Sequence, residues 1–403
     1  MNEQLFTIAL GINEPVYIEE ITFDKAEGEL HIYLNFRRGG QFACPECGTL
    51  APAADTLEKT WRHLDFFQYK CRLHMRTPRV NCPEHGVRLW TPPWARPRSG
   101  FTLLFEAIIM QLAKDMAVSC IAEYVGEHDT RIWRIINAYV RNAYSEKDFS
   151  NVERVGVDET SSRKGHRYVT IFADMDTGNV IFATPGKDAA TIAAFAAELP
   201  KHNAKPENIK EIAMDMSPSF ISGVADKLPN ASVTFDKFHV VKLLNEAVDT
   251  VRRVEQKVNP LLKKTRYIWL KNPKNLTATQ VQNLGSLANE NLKTARAYRM
   301  KLTFQDIYRE IRDKDVADIA IRKWLSWAVR SRLDPIKKFA KTVKKHYDGI
   351  LRYFDSRLTS GVMEGINSRV QEVKRRARGF RNINNYITMI YLVAGGLEIV
   401  QPT

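Results

Sequence analysis

The order of strand-like and helix-like segments between residues 152 and 236 constrains the fold more than any other feature of the sequence. Apolar stretches of strand length and Ala-rich or amphipathic stretches of helix length follow one another as β-β-β-α-β-α-β. The predicted strands cover 152–158, 168–175, 179–183, 209–215 and 231–236. The predicted helices cover 188–199 and 217–227. Three antiparallel strands followed by two crossover units obey the rules for connections within one sheet.

A nearly continuous helical and basic pattern follows, from about residue 238 to residue 353, and a last helical segment begins near Val362. The helical pattern between residues 238 and 353 is broken at Asn259-Pro260 and Asn272-Pro273. This order predicts an RNase H-like domain that is interrupted by an all-helical insertion. Doubly wound folds alternate strand and helix from the start, so the order disfavours them.

The whole chain is expected to be a multidomain protein of mixed α+β and α/β class. Of its 403 residues 44% are hydrophobic and 26% charged, which is typical of folded domains. Residues 1–40 read as strands and residues 41–95 as loops and short strands around a metal. The expected segments are a β-rich zinc-binding module at 1–98, a helix-turn-helix at 99–149, the first part of the catalytic domain at 150–238, the helical insertion at 239–356 and the C-terminal catalytic helices at 357–403.

The charge balance indicates a polyanionic partner. Lys and Arg number 60 against 46 Asp and Glu, a net charge of +14, and nucleic acid is the first candidate for such a protein. Residues 336–381 hold 13 basic and 4 acidic side chains, and residues 37–98 hold 11 and 5. Each basic run alone is also compatible with a solvated helix face.

Several features predict a cytoplasmic protein without a membrane partner. The five cysteines are an odd number, which argues against a secreted disulfide framework. No apolar run reaches the ~18 residues that span a bilayer. The first eleven residues carry no basic side chain, so they do not resemble a signal peptide.

Two pairs of potential metal ligands share the same close spacing. Cys44 and Cys47 form one pair, and Cys82 and His85 form the other. A tight turn directs both side chains of such a pair at one ion, and two turns complete a tetrahedral zinc site. We expect these four residues to hold one structural Zn²⁺ with no open position for catalysis.

A rival second pair has the same spacing, Cys71 and His74. These two residues lie in an apparent strand over 66–75, where alternation sends them to opposite faces, so the pair at 82 and 85 is preferred. The alternative to a zinc site is a set of unrelated thiols with a chance histidine.

A helix-turn-helix is predicted after residue 100. Apolar residues at helical spacing cover 101–116, a short helix covers 119–125, and Gly126 breaks it. Asp129 or Thr130 would cap the next helix. Its predicted core residues are Ile132, Ile135 and Ile136. The predicted DNA contacts on its other face are Arg131 and Arg134. A plain helical hairpin fits the same pattern.

Three acids are candidates for a catalytic centre. Asp158 and Asp215 end the first and fourth predicted strands, which would be adjacent and parallel, so both carboxylates would lie at one edge of the sheet. Glu364 lies just inside a helix that Thr359-Ser360 would open. Three clustered carboxylates repel one another unless cations lie between them, and two Mg²⁺ ions ~3.5–4 Å apart are the usual solution, with Mn²⁺ as a substitute. Taken singly, an Asp at a strand end is more often a cap or turn residue.

Other polar residues lie near these acids at the predicted strand ends and on the predicted C-terminal helix. Asp236 ends the fifth strand and is either a fourth acid or a helix cap, and His239 is either a DNA contact or a packed histidine. Asn367 shares a helix face with Glu364 and is a third accessory candidate. The predicted phosphate contacts at the end of this helix are Lys374, Arg375, Arg376 and Arg378. Trp324 and Trp327 are expected in the core, with stacking on a displaced base as the alternative.

With these motifs the chain resembles the ISL3 family of bacterial insertion-sequence transposases. The resemblance spans most of the chain in the expected order. Its matching stretches are Cys44-Pro45-Glu46-Cys47, the run 79–87 with Pro93-Trp94-Ala95, Gly156-Val157-Asp158-Glu159-Thr160, Met214-Asp215-Met216-Ser217, the run 236–242, and the runs 362–368 and 374–380.

The resemblance implies an acidic triad on an RNase H-like fold, which carries over to Asp158, Asp215 and Glu364. It also implies that the zinc module and the helix-turn-helix recognise the terminal inverted repeats of the element. The implied reaction is cleavage at the end of the element to free a 3′-OH, which then attacks target DNA, on at least a homodimer. One departure is that Gln371 occupies a position where some transposases of this chemistry carry a base.

Two other classes of protein fit parts of the pattern. A metal-dependent RNase H-like nuclease or junction resolvase would cut without strand transfer, but it would rarely need both a zinc module and a helix-turn-helix. A DNA-binding regulator with an inactive catalytic remnant would be insensitive to Asp158→Ala. Nucleotide-binding enzymes are disfavoured because no phosphate-binding glycine motif is present.

Overall fold

The computed structural model describes residues 2–163, 167–288, 290, 292–358 and 361–399. The chain forms two compact units. Unit 1 is Met1–Tyr139 with Glu398–Thr403, and unit 2 is Val140–Leu397. The predicted helix start at Thr359-Ser360 lies outside the described residues.

Unit 1 is built on a six-stranded sheet with the order β1-β2-β5-β4-β3 and with β6 paired to β5. Its strands are β1 (Val16–Asp24), β2 (Glu29–Phe36), β3 (Gln41–Ala43), β4 (Leu50–Arg62), β5 (Lys70–Cys82) and β6 (Gly86–Leu89). Strands β2 and β5 run parallel, and the other pairs are antiparallel. A short helix, α1 (Asn2–Ala9), precedes them.

Two features of unit 1 were not predicted from the sequence. Residues 2–9 form a helix rather than a strand, and β4 and β5 are each 13 residues long rather than short. Most of β4 is exposed and polar, so its hydropathy shows no alternation, and its pairing with β5 along nine positions makes it a strand.

Three helices follow, with the bounds expected for a helix-turn-helix. They are α2 (Leu103–Ala113), α3 (Val118–Val125) and α4 (Asp129–Ser145). Between α3 and α4, Gly126 adopts φ +63°, the left-handed conformation that ends a helix most easily at glycine.

Unit 2 contains a five-stranded sheet with the order β11-β10-β7-β8-β9. Its strands are β7 (Arg154–Ser161), β8 (Tyr168–Asp174), β9 (Asn179–Pro185), β10 (Glu211–Met214) and β11 (Ser232–Phe235). The first three are antiparallel, and β10 and β11 run parallel to β7. Two helices, α5 (Ala189–Glu198) and α6 (Pro218–Lys227), lie between the later strands. All five strands and both helices predicted from the sequence are confirmed.

Helices make up most of the rest of unit 2. They are α7 (Lys237–Glu255), α8 (Arg266–Leu270), α9 (Ala278–Ala288), α10 (Lys293–Glu310), α11 (Lys314–Arg330), α12 (Asp334–Lys345), α13 (Tyr347–Ser356), α14 (Gly361–Arg376) and α15 (Ile383–Ala394). One hydrophobic core continues from the sheet into helices α7 to α13. Trp324 lies in this core, 2% exposed, and its indole N–H donates to the carbonyl of Met300 (2.8 Å), so its predicted packing role is confirmed. The same prediction is wrong for Trp327, which is 38% exposed.

Among the described residues, no helix combines the length and the apolar composition that a membrane crossing needs.

The contact between α13 and β11 leaves no room for a side chain at Gly349. A Cβ there would lie 2.5 and 2.6 Å from ring carbons of Phe235. We expect Gly349→Ala to destabilise unit 2 by about 1–3 kcal/mol through overpacking. Gly285→Ala, in α9 with no atom within 4 Å of the new methyl group, is the control and should not lower the stability. Equal denaturation midpoints for the two variants would contradict this packing.

Candidate functional site

A cluster of three cysteines and one histidine lies in unit 1. The ligand atoms of Cys44, Cys47, Cys82 and His85 all lie within 4.8 Å of one another. Cys47 Sγ is 3.5 Å from Cys82 Sγ, which is 3.6 Å from His85 Nδ1. Three sulfurs and one imidazole nitrogen are a complete ligand set for tetrahedral zinc, so no open position remains.

Two hairpins position these four side chains. Cys44 follows β3, and the amide of Gly48 donates to the Cys44 carbonyl (2.9 Å) to close the first turn. Cys82 ends β5 and pairs with Gly86 at the start of β6, which places His85 in the second turn. The Thr49 hydroxyl, 3.3 Å from Cys47 Sγ, lowers the pKa of that thiol to about 6 and so favours the thiolate that binds metal.

The rival pair does not join this cluster. Cys71 is buried in the hydrophobic core of unit 1, and burial raises the pKa of its thiol to about 12. His74 points elsewhere, with its Nε2 2.9 Å from His31 Nδ1. The alternation of β5 therefore separates these two residues as predicted.

The helix-turn-helix has the predicted core. Ile132, Ile135 and Ile136 are buried. The predicted cap at Asp129 or Thr130 is wrong, because α4 already begins at Asp129. The residue before the helix, His128, takes the capping position, and its ring Nδ1 accepts a hydrogen bond from the amide of Thr130 (3.3 Å).

The two arginines expected to contact DNA differ in their surroundings. Arg131 is half-buried, pairs with the largely buried Glu127 and lies over the ring of Phe101 at 4.3 Å. Arg134 is exposed on the same helix. Arg134 is therefore the more exposed of the two arginines.

A buried carboxylate that the sequence reading missed holds this module together. Glu106 is fully buried in α2, and Arg96 donates to both of its oxygens (2.7 and 2.8 Å). Ser99 and Tyr139 also donate to it, at 2.7 and 2.9 Å. The proline-rich sequence of residues 91–97 is typical of a linker, but these contacts fix the segment before α2 to α2 and α4. A lone Glu in an apolar helix was the available signal.

Strand pairing in unit 2 brings three acids to one edge of the sheet. Strand β10 pairs with β7 as far as Gly156 and with β11 as far as Phe235. Asp158, Asp215 and Asp236 follow these paired positions by one or two residues, so parallel strands in register place them side by side. All three line one small cavity of about 20 Å³.

One detail of the prediction was wrong. Asp158 does not end its strand, because β7 continues to Ser161. Beyond Gly156, β7 no longer pairs with β10 and is held by β8 on its other side. Asp158 therefore lies on the part of β7 that extends past the parallel strands.

Helix α14 runs along this extended part of β7. Three hydrogen bonds connect them: Asn367 Nδ2 to Asp158 Oδ2 (2.5 Å), Gln371 Nε2 to Thr160 Oγ1 (2.7 Å) and Lys374 Nζ to Ser161 Oγ (2.9 Å). The spacing of the three donors along α14 matches the spacing of the three acceptors along β7. Asn367, a predicted accessory residue, thereby contacts the predicted catalytic carboxylate of Asp158 directly.

Glu364 lies on the same helix, one turn before Asn367, and is exposed. It lines a larger neighbouring groove of about 360 Å³ rather than the cavity of the aspartates. Within the described part of the chain, the Cys/His cluster is the one set of three or more such ligands whose atoms all lie within 4.8 Å. The structure thus brings Asp158 and Asp215 together and places Glu364 at the adjoining groove.

The edge of the sheet is strongly negative. Burial raises the pKa of Asp158. Burial also raises the pKa of Glu159 to about 7, and the charge of Asp215 adds to this effect. His239 Nδ1 lies 2.9 Å from Asp236 Oδ2, and this contact raises the pKa of the imidazole. Asp236 also caps α7, since it accepts the amide of Phe238 (3.0 Å), so the predicted cap is confirmed.

The basic residues at the end of α14 are only partly free to bind another molecule. Lys374 is held by Ser161, and partial burial lowers the pKa of its ammonium. Arg376 is half-buried, whereas Arg375 and Arg378 are exposed.

Gly156 is a further position that the sequence reading did not use. A Cβ on this residue of β7 would overlap the sulfur atoms of Met175 and Met363. Glycine at this position therefore allows α14 to approach the strand closely. A glycine inside a strand, two residues before an acid, was the signal.

Comparisons with known proteins agree with this arrangement. Residues 155–390 match the DDE transposase of the ISL3 type. Residues 91–140 match the helix-turn-helix domain of transposase family ISL3. Residues 40–85 match the zinc finger of the transposases IS204, IS1001, IS1096 and IS1165. The matches cover the fold elements and the Cys/His cluster described above.

Two curated relatives are similar over most of the chain. The transposase for insertion sequence element IS1557 of Mycobacterium tuberculosis is 29% identical over 100% of this chain and 97% of its own length. The transposase for insertion sequence element IS1001 of Bordetella parapertussis is 29% identical over 84% of this chain and 85% of its own. The fold and sites thus define a DNA-binding transposase of the DDE class. The chain belongs to the ISL3 family of insertion-sequence transposases.

The zinc site gives a direct chemical test. We expect Cys82→Ser to lose about one equivalent of bound zinc by metal analysis, because three ligands hold the ion far less tightly than four. Cys120→Ser is the control, since Cys120 is an exposed cysteine of α3 outside the cluster and should leave the zinc content unchanged. Full zinc content in Cys82→Ser would exclude this ligand set.

Proposed function

We propose that this chain binds the terminal inverted repeats of its insertion sequence, cuts the DNA at those ends and joins the freed 3′-OH to target DNA. The observation that carries the proposal is the side-by-side position of Asp158 and Asp215 at one sheet edge, with Glu364 on the helix that packs there. Acids in this arrangement are suited to phosphoryl transfer with divalent cations.

We also propose an RNase H-like catalytic domain with a helical insertion. Three antiparallel strands followed by two strands parallel to the first support this fold. The helices between β11 and α14 share a core with the sheet, so the insertion at 239–356 is packed onto the catalytic domain rather than tethered to it. The boundaries 1–98, 99–149, 150–238 and 357–403 remain the proposed limits of the other segments.

The donor set at the sheet edge suits Mg²⁺. Its side-chain ligands are carboxylate oxygens, which hard cations prefer. The Oδ1 of Asn367 is buried beside Asp158 without a hydrogen-bond partner, so a further oxygen is available to a cation or its water. Asp158, Asp215 and Glu364 would hold two Mg²⁺ ions, or Mn²⁺ in their place. Such ions activate an attacking oxygen and stabilise the leaving oxygen of a phosphodiester.

The protein side chains supply position and charge. Asn367 fixes the orientation of Asp158 by donating to one of its oxygens. Asp236 holds His239 near the acids, where the raised pKa of the imidazole favours its protonated form. A cationic group at this place offsets the repulsion among the carboxylates.

Basic residues would guide the DNA. We assign phosphate contacts to the exposed Arg375 and Arg378, with Lys374 and Arg376 closer to the sheet. Arg134, and with it Arg131, would contact the inverted repeat through α4. Since two ends of the element react together, a homodimer on DNA is part of the proposal, and its place of action would be the bacterial nucleoid.

The alternatives of a nuclease without strand transfer and of an inactive regulator are not favoured, because both curated relatives are transposases over nearly their full length.

The catalytic assignment is tested with labelled inverted-repeat DNA and Mg²⁺. We expect Asp158→Ala, Asp215→Ala and Glu364→Ala each to abolish end cleavage, because each removes a proposed metal ligand. Asp226→Ala, which removes an exposed acid of α6, is the matched control and should cut at the normal rate. End cleavage by any of the three variants at the control rate would remove that residue from the site.

The DNA-binding assignment is tested by gel shift on the same DNA. We expect Arg134→Ala to weaken binding by about 1–3 kcal/mol, as for other groove-contacting arginines. Lys227→Ala removes one positive charge from α6 in unit 2 and should leave the affinity unchanged. An affinity loss equal in both variants would indicate net charge rather than a specific contact.

A further inference from the structure

A groove of about 360 Å³, which Glu364 lines, has a further wall of residues that the proposal above does not use. Its apolar wall combines Phe238 and Val241 of α7 with Leu302 of α10. The volume falls within the range of ~300–1,000 Å³ that is usual for small-molecule sites. All of these residues belong to unit 2.

Phe238 differs from the other phenylalanines that the structure describes in this unit, which are buried or half-buried. It is 56% exposed, although a phenylalanine of a folded domain is normally buried. Its backbone amide donates to Asp236 (3.0 Å), which lies in the cavity of the aspartates. The backbone of Phe238 is thus fixed beside that cavity, and its exposed side chain lines the groove, where a flat ring can stack on it.

The polar lining of the groove matches a nucleotide. The side-chain amides of Asn272 and Gln305 offer donors and acceptors of the kind that read the edge of a base. Lys237 adds a positive charge suited to a phosphate, whereas Arg309 is paired with Asp306, another lining residue (2.7 Å), and with Glu310. The ammonium of Lys237 lies 5.6 Å from the centre of the Tyr308 ring, which fixes it at the wall.

We propose that this groove takes one extrahelical nucleobase of the DNA strand that is cut, stacked on Phe238. This inference rests on the proposed function, because the base is attached to the strand whose phosphate lies at the acids. Flipping a base out of the duplex costs the free energy of its stacking and pairing. Stacking on an aromatic ring and hydrogen bonds to side-chain amides recover much of that free energy. The sequence offered this role to Trp324 and Trp327, but Trp324 is buried and Trp327, although 38% exposed, does not line this groove, so we assign the role to Phe238.

The test uses the full chain and inverted-repeat DNA in two forms, intact or with one abasic site. The abasic site is moved through the nucleotides around the scissile phosphate, one position at a time. Phe238→Ala removes the stacking face, Phe238→Trp keeps an aromatic ring, and Val254→Ala truncates another exposed residue of α7 as a matched control. Initial cleavage rates are measured for each variant on each DNA.

On intact DNA we expect Phe238→Ala to cut about tenfold more slowly than the wild-type chain, and the other two variants to cut at near wild-type rates. At one abasic position the wild-type chain and Phe238→Ala should cut equally fast, because no base remains to be held there. A loss of structure in Phe238→Ala would instead slow cleavage of every DNA by the same factor.

Two results would overturn the inference. One is Phe238→Ala cutting intact DNA as fast as the wild-type chain, and the other is a defect of the same size at every abasic position. A wild-type chain that leaves intact DNA uncut would overturn the proposed function together with this inference, so the two failures are distinguishable.

Discussion

The parallel pairing of β10 with β7 and of β11 with β10 is the constraint on which the catalytic half of this protein depends. Parallel strands end at the same edge of a sheet, so residues at equivalent positions become neighbours however far apart they lie in the chain. Asp158, Asp215 and Asp236 are separated by more than 75 residues in total, yet this register alone makes them line one cavity. The resulting concentration of negative charge follows from backbone hydrogen bonds.

The helix that carries Glu364 depends on a second set of contacts. Asn367, Gln371 and Lys374 each donate to a residue of β7, so α14 is aligned with the strand along about two turns. The absence of a side chain at Gly156 allows this close approach. The exposed Glu364 consequently lines a groove that is also lined by the helices after β11, and those helices share one hydrophobic core with the sheet.

Unit 1 is stabilised by different means. Its sheet contains one long polar strand, β4, with few residues to bury, and a metal that joins two hairpins compensates for a small core. The buried Glu106 then ties the segment before α2 to two helices through Arg96, Ser99 and Tyr139. Breaking a buried ion pair of this kind typically costs ~3–5 kcal/mol, so the orientation of α4 and of its exposed Arg134 is firmly set.

The amino-acid sequence alone predicts the strand and helix order of unit 2, the four zinc ligands and the hydrophobic face of α4. These features are local: they follow from alternation, spacing and helical periodicity. It did not determine the length of β4, because exposed polar strands carry no hydropathy signal until a partner strand pairs with them. The tertiary structure alone decided that Arg131 is occupied by Glu127, that Asn367 holds Asp158, and that Glu364 lies at a groove beside the aspartates. Those outcomes depend on distances between distant segments, which pairing and packing fix and spacing along the chain does not.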